Sequence, residues 1–225
     1  MSNNKSVLII GATGALGLQL LRHLASEPSV TVSALARNPS KFSDSDKRLC
    51  NTITTGNARN AQDIEKALVE SKANYVILAT GNGEDTSKSD TREKTGEALA
   101  AVVSKPNFSN VKVVIMSSHG AAETKIIVGF GIGMMISHHL RHVLADHTNQ
   151  EAFFAGGSLA QRTLIVRPTA LTDNKGGQTL VEFNGLKKGP SISADRSDVA
   201  AWVTEEIMKS PASFKGRKVC LTNAK

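Results

Sequence analysis

Gly11, Gly14 and Gly17 stand three residues apart, directly after the apolar run Val7-Leu8-Ile9-Ile10. Glycine lets a main chain turn sharply and lets a bulky anion approach it closely. Leu16, Leu20, Leu21 and Leu24 then recur at helical spacing. Strand, tight turn and helix start in that order make a phosphate cradle. The first N–H groups of a helix are unpaired and carry partial positive charge. The candidate contacts are Gly11, Thr13, Gly14, Ala15 and Leu16, and the expected ligand is a pyrophosphate-bearing nucleotide.

A second group of residues selects among such nucleotides. The apolar run 30–36 ends at Arg37-Asn38-Pro39, and no Asp or Glu follows until Asp44. At this turn a free ribose 2′-hydroxyl is usually met by an acid and a 2′-phosphate by a base. Arg37 offers a phosphate a planar fork, with Lys41 close behind, so the expected cofactor is NADP(H). Asn57 either bonds the adenine amino group or forms the turn after Gly56. Thr80-Gly81-Asn82 closes another apolar run and would border the ribose and pyrophosphate. Ser117 and Pro168, at the ends of two further apolar runs, complete the expected cofactor contacts.

Ser117 and Ser118 follow the run 111–116, where a hydroxyl would face the reacting ring of such a cofactor. Either donates to a substrate carbonyl or is a strand-end serine satisfying a loop N–H. His147 is the third catalytic candidate, because imidazole titrates near neutral pH. His138, His139 and His142 share its helical stretch, and His119 follows the serines. His138 and His142 are spaced like metal ligands on one helix face. The glutamate of His-Glu-x-x-His is missing, however, and no acid or cysteine has matching spacing, so no metal is expected. Residues 126–136, Ile-Ile-Val-Gly-Phe-Gly-Ile-Gly-Met-Met-Ile, have no clear period. They read as an adaptable apolar wall over a substrate, a buried helix start or a subunit contact.

Such scattered loops need a scaffold that gathers them. After the strand pattern at 7–10, others occur at 30–36, 51–55, 75–79, 111–116, 164–166 and 218–221. Helical patterns at 61–69, 86–103 and 195–208 alternate with them. The alternation predicts an α/β fold, a doubly wound parallel sheet with helices on both faces. Right-handed crossovers give the order 3-2-1-4-5-6 with a seventh strand at the edge. Ligands of such sheets bind beyond the carboxyl ends of the strands, where most of the candidates stand. No repeat or low-complexity linker divides the 225 residues. One domain over 1–225 is expected, with substrate-side loops around 120–150 and 170–193 and a small C-terminal extension covering the substrate.

Composition is ordinary for a soluble protein, 40% apolar and 21% charged. The net charge of +7 comes from scattered Lys and Arg with few aromatics, which suits an anionic cofactor better than a nucleic acid. Cys50 and Cys220 have no metal or redox spacing and read as buried, reduced thiols. With a strand pattern from Val7 no signal peptide is expected, and no apolar run reaches the ~20 residues of a membrane span. The expectation is a cytoplasmic monomer or homodimer that takes an apolar small molecule and binds neither nucleic acid nor membrane.

With these residues assembled, the chain resembles the atypical short-chain dehydrogenase/reductase superfamily, and most nearly its NmrA-like and biliverdin-reductase-B (flavin reductase) type members. The resemblance rests on Gly11-Ala12-Thr13-Gly14-Ala15-Leu16-Gly17, Ala36-Arg37-Asn38-Pro39 and Ser117-Ser118. It rests also on Leu164-Ile165-Val166-Arg167-Pro168-Thr169-Ala170-Leu171 and on Ile192-Ser193-Ala194-Asp195-Arg196-Ser197-Asp198-Val199-Ala200. It implies a Rossmann NAD(P)-binding fold. Standard members use Tyr-x-x-x-Lys, with the tyrosine as proton donor. Here Tyr75, at the start of a strand, is the single tyrosine, and alignment to the family puts Val143 and His147 at the two positions. The resemblance thus implies an NADP(H)-dependent reductase of an apolar or aromatic carbonyl or conjugated small molecule, working without that pair. It equally accommodates an NmrA-like NADP-sensing regulatory protein, or a reductase-derived enzyme catalysing a cyclisation, isomerisation or dehydration.

Overall fold

The computed structural model describes residues 4–83, 85–174, 176–209 and 214–224. Residues 1–3 and Lys175 of the 170–193 loop lie outside the described residues. The first half runs β1 (Lys5–Ile10), α1 (Ala15–Ala25), β2 (Val30–Ala36), α2 (Asp44–Leu49), β3 (Thr52–Thr55), α3 (Ala61–Ser71), β4 (Tyr75–Leu78), α4 (Thr91–Val103) and β5 (Lys112–Met116). The second runs α5 (Ile132–His139), α6 (Arg141–Ala152), α7 (Gly157–Ala160), β6 (Thr163–Pro168), β7 (Ala170–Thr172), β8 (Leu180–Phe183), β9 (Ser193–Asp195), α8 (Arg196–Met208) and β10 (Lys218–Asn223).

Eight strands form one sheet in the order β3-β2-β1-β4-β5-β6-β10-β8. All pairs are parallel except β10 with β8. The α/β class and the strand order follow the sequence pattern, with β10 as the seventh strand. Two features lie beyond that pattern: the antiparallel edge strand β8, and a separate parallel pair of β7 with β9.

Side chains alternate faces along a strand. Val7 and Ile9 pack with Leu20, Leu21 and Leu24 of α1 and Val199 and Val203 of α8. Leu8 and Ile10 pack on the other face with Ile64 and Leu68 of α3 and Leu99 and Val103 of α4. Helices cover both faces, so β1 is apolar without alternation. Each fully buried Leu or Ile contributes about 1.5–3 kcal/mol, which holds the carboxyl ends of the strands in fixed register.

The helix expected from residue 86 begins at Thr91 instead. Asp146 of α6 accepts the main-chain N–H groups of Arg92 (3.1 Å) and Glu93 (2.9 Å). This carboxylate satisfies the first turn of α4 from 54 residues away in sequence, and no local pattern reveals it. In the apolar segment 126–136, Gly133 is buried, and a Cβ there would fall 2.2 Å from the Ile126 carbonyl oxygen. The start of α5 therefore folds back on the chain that precedes it.

Candidate active site

The turn from β1 into α1 opens on a cleft of about 700 Å³ across the carboxyl ends of β1 to β4. Its three glycines are there for different reasons. Gly11 has φ +95°, and a Cβ there would lie 2.5 Å from the Ala79 carbonyl oxygen. A Cβ on Gly17 would lie 2.2 Å from the Gly11 carbonyl oxygen, so this glycine lets the helix sit on the turn. Gly14 is different. Its φ is −77°, and a Cβ would make an ordinary 3.4 Å contact with Gly11. The fold does not need glycine at 14, and its bare face lines the cleft. It is the N-cap of α1, with no side-chain cap and no acid in the first turn. Ala15 and Leu16 follow as the first helical residues, whose N–H groups have no partner within the helix. A phosphate fits this place, and Thr13 lines it too.

Arg37 and Lys41 line the cleft beyond β2. Pro39 opens a single 3₁₀ turn, and Asn38 Oδ1 accepts the Ser40 N–H at 3.0 Å, which returns Lys41 to the cleft. Neither cation forms an ion pair among the described residues. Arg59, on the same cleft, is held by Asp90 (2.5 Å) and Thr91 (3.0 Å). Asn57 Oδ1 accepts the Arg59 N–H at 3.1 Å, and the Asn57 N–H donates to Asp63 at 2.7 Å. The turn-forming role is thus in place, while Asn57 still lines the cleft. Thr80 and Gly81 form the wall after β4, with Thr80 Oγ1 hydrogen-bonded to Thr95 Oγ1 of α4 at 2.8 Å.

A smaller pocket of about 150 Å³ lies over the ends of the next two strands, β5 and β6. Ser118 and Thr169 stand at its polar side, and Ile126, Ile136, Phe183 and Ile192 among its apolar walls. Ser118 Oγ donates a long 3.2 Å bond to the His119 carbonyl oxygen, which a ligand carbonyl could replace. The His119 ring also lines the pocket and meets Phe183 edge-on, 5.0 Å between centroids. Its Nε2 is buried without a partner. Burial pushes the imidazole below its ordinary pKa, against main-chain contacts with Gly185 and Lys125 that work the other way.

Several expected site residues stand elsewhere. Ser117 is buried and lines neither cavity. Its Oγ donates to Glu151 Oε1 at 2.5 Å. Glu151 in turn accepts Arg167 Nε at 2.9 Å and Nη2 at 2.5 Å, and Arg167 reaches Glu123 at 2.9 and 3.0 Å. Arg167 holds the Glu123 carboxyl down at about 2. Ser117 is therefore part of a buried ionic frame tying β5, β6 and α6 together. His147 is buried in α6, its Nδ1 has no partner, and it lines neither cavity. Burial, then the charge of Arg92, holds it neutral, well below its ordinary pKa. Pro168 is buried in β6 against Leu221 of β10, and Asn82 borders neither cavity. Tyr75 lies at the amino end of β4, edge-on to Phe214 at 5.9 Å, away from the strand ends that carry both cavities. Sequence reasoning passes over Thr95, Arg59 and Thr169; only His119 carries a signal, its place beside the two serines.

Residues 11–210 match the model of a family described as NAD(P)H-binding. The chain belongs to the NAD(P)H-binding family. No curated protein matches it significantly. Among solved structures, a short-chain dehydrogenase/reductase from Veillonella parvula DSM 2008 aligns with TM-score 0.79 and 13% identity, over 98% of this chain and 94% of that one. A second Veillonella parvula DSM 2008 structure, of a short-chain dehydrogenase/reductase in complex with NADP, aligns with TM-score 0.76 and 13% identity, over 97% and 94%. ChuY, an anaerobillin reductase from Escherichia coli O157:H7, aligns with TM-score 0.72 and 17% identity, over 96% of each chain. At such identities the likeness is one of fold, the Rossmann-like α/β fold that these structures share with this chain.

Proposed function

We propose that this NAD(P)H-binding protein is an NADP(H)-dependent reductase of an apolar or aromatic carbonyl or conjugated small molecule, working without a tyrosine–lysine pair. The observation that carries the reading is the pair Arg37 and Lys41, cations without ion-pair partners in the cleft that Gly14 opens. They suit a 2′-phosphate, and the turn offers no carboxylate for a free 2′-hydroxyl. The Veillonella neighbour in complex with NADP and the Escherichia reductase support it by analogy of fold.

Bound NADPH supplies the hydride. The chain's residues position and shield. The N–H groups at the start of α1 hold the pyrophosphate, and Arg37 and Lys41 hold the 2′-phosphate. Ile126, Ile136, Phe183 and Ile192 exclude water and admit a flat apolar group, or the reactive end of a longer molecule. Ser118 exchanges its bond to the His119 carbonyl for one to a substrate oxygen. Ser118 gives its proton to that oxygen as the hydride arrives and regains one from solvent when the product leaves.

A second reading is an NADP(H)-sensing regulatory protein. It is favoured by the engagement of Ser117 with Glu151 and by the neutral, buried His147, which leave no strong acid poised at the pocket. Fluorescence titration with NADPH, followed by NADPH oxidation assays over quinones, flavins and enones, separates the two. Turnover of at least one acceptor supports the reductase. Binding without turnover across the panel supports the sensor, and absence of binding contradicts both.

A further inference from the structure

We infer that the face built by residues 124–141 and 184–192 docks onto an anionic lipid surface. The two stretches are held together: the Lys125 N–H donates to the Gly185 carbonyl at 2.9 Å, and both contribute walls to the small pocket. At the tip, Phe130 stands fully exposed between Gly129 (φ +45°) and Gly131 (φ +77°). Met134 and Met135 are 76% and 74% exposed, and Ile127, Ile132, Leu186 and Ile192 are exposed as well. Large apolar residues gathered in this way are unusual on a surface that meets only water.

Charge decides what covers them. Neither stretch contains an Asp or Glu, while both carry cations: Lys125, Arg141, Lys187 and Lys188, with His138 and His139 beside them. All six are exposed, and the four Lys and Arg form no ion pair among the described residues. Exposed apolar side chains and unpaired cations in the same two joined stretches, with no carboxylate among them, match the interface of an anionic bilayer, where the apolar groups enter the acyl boundary and the cations meet the headgroups. A second copy of the chain is a poor cover. Two-fold pairing through this face would bring its cations against their own copies, with no carboxylate from either stretch to meet them. Among the described residues no helix is long and apolar enough to cross a membrane, so the contact is peripheral. Ile127 and Ile192 belong both to the exposed face and to the pocket wall, so docking brings that pocket to the lipid.

The test is cosedimentation of the full chain with phosphatidylcholine vesicles and with mixed phosphatidylcholine–phosphatidylserine vesicles, at low and high salt. Binding should be at least about ten-fold stronger to the mixed vesicles and weaken with salt. Phe130→Ser with Met134→Ser and Met135→Ser should abolish it. Lys187→Glu with Lys188→Glu should lower it by at least about five-fold. Val69→Ser, which removes the exposed apolar residue of α3, should leave it unchanged. Unchanged NADPH affinity and thermal melting in each variant establish that the fold is intact. Equal partition to both vesicle types, no binding to either, or binding indifferent to the Phe130 variant overturns the inference. So does a wild-type dimer in gel filtration that the Phe130 variant converts to monomer, because the tip would then be covered by a second copy.

Discussion

Ser117 Oγ and Arg167 Nε converge on one oxygen, Oε1 of Glu151, at 2.5 and 2.9 Å. The serine first in line to touch substrate is thereby committed to the frame, and its neighbour Ser118 faces the pocket. Ser117→Ala should lose about 1–2 kcal/mol of stability and change turnover by no more than about two-fold. Ser118→Ala should lower turnover by about a hundred-fold at unchanged stability. Urea denaturation and steady-state NADPH oxidation measure the two effects.

The same network makes Glu151 the residue whose loss is felt most. Glu151→Ala leaves the Arg167 guanidinium buried beside a single, half-exposed partner, Glu123, and should cost about 3–5 kcal/mol. Glu123→Ala removes a carboxylate that water already screens, and should cost about 1 kcal/mol or less. Equal losses in urea denaturation would show that the buried pair carries no special weight.

The glycine turn separates a fold requirement from a ligand requirement. Gly11→Ala and Gly17→Ala drive a Cβ into main chain at 2.5 and 2.2 Å, and should give little soluble protein. Gly14→Ala meets only an ordinary 3.4 Å contact. It should melt within a few degrees of wild type while NADPH affinity falls by at least about ten-fold, because the methyl occupies the phosphate's place. Differential scanning fluorimetry and NADPH titration check this contrast.

Acid should weaken the fold through its buried imidazoles. His147 and His119 have folded-state pKa values below the ordinary one, chiefly through burial. Below about pH 6.5 the unfolded chain takes up protons that the folded chain refuses, so the unfolded state gains. Their contribution is complete above that pH and is lost as pH falls from there towards each group's folded-state value, at up to about 1.4 kcal/mol per pH unit for each group, with the longer decline from the more strongly shifted His147. In His147→Gln the slope of stability between pH 6.5 and 5 should flatten by about one such unit. An unchanged slope in urea midpoints across that range would contradict the assignment.

The sheet and the nucleotide half of the site are readable in the sequence because their signals are local. Val7-Leu8-Ile9-Ile10 runs directly into the glycine turn, and Arg37 follows its strand by one residue. β8 is short, half-exposed and at the edge, so Leu180–Phe183 shows no buried pattern. The Ser117–Glu151 and Arg167–Glu151 bonds span 34 and 16 residues, and no spacing rule reveals them. His147 is a site candidate only through the family resemblance, and packing turns it inward, where burial holds it neutral. Apolar glycine-rich stretches give no period, which is why residues 126–136 are understood only once α5 is seen folded back over Gly133.

The proposed preference for NADP(H) turns on Arg37 as the holder of the 2′-phosphate. Equilibrium titration of the wild type and Arg37→Ala with NADPH and with NADH tests it most directly. The wild type should prefer NADPH by at least about ten-fold, and the variant should lose about 1.5–3 kcal/mol of NADPH affinity with NADH changed by less than two-fold. Equal wild-type affinities for the two cofactors, or equal losses in the variant, would contradict it.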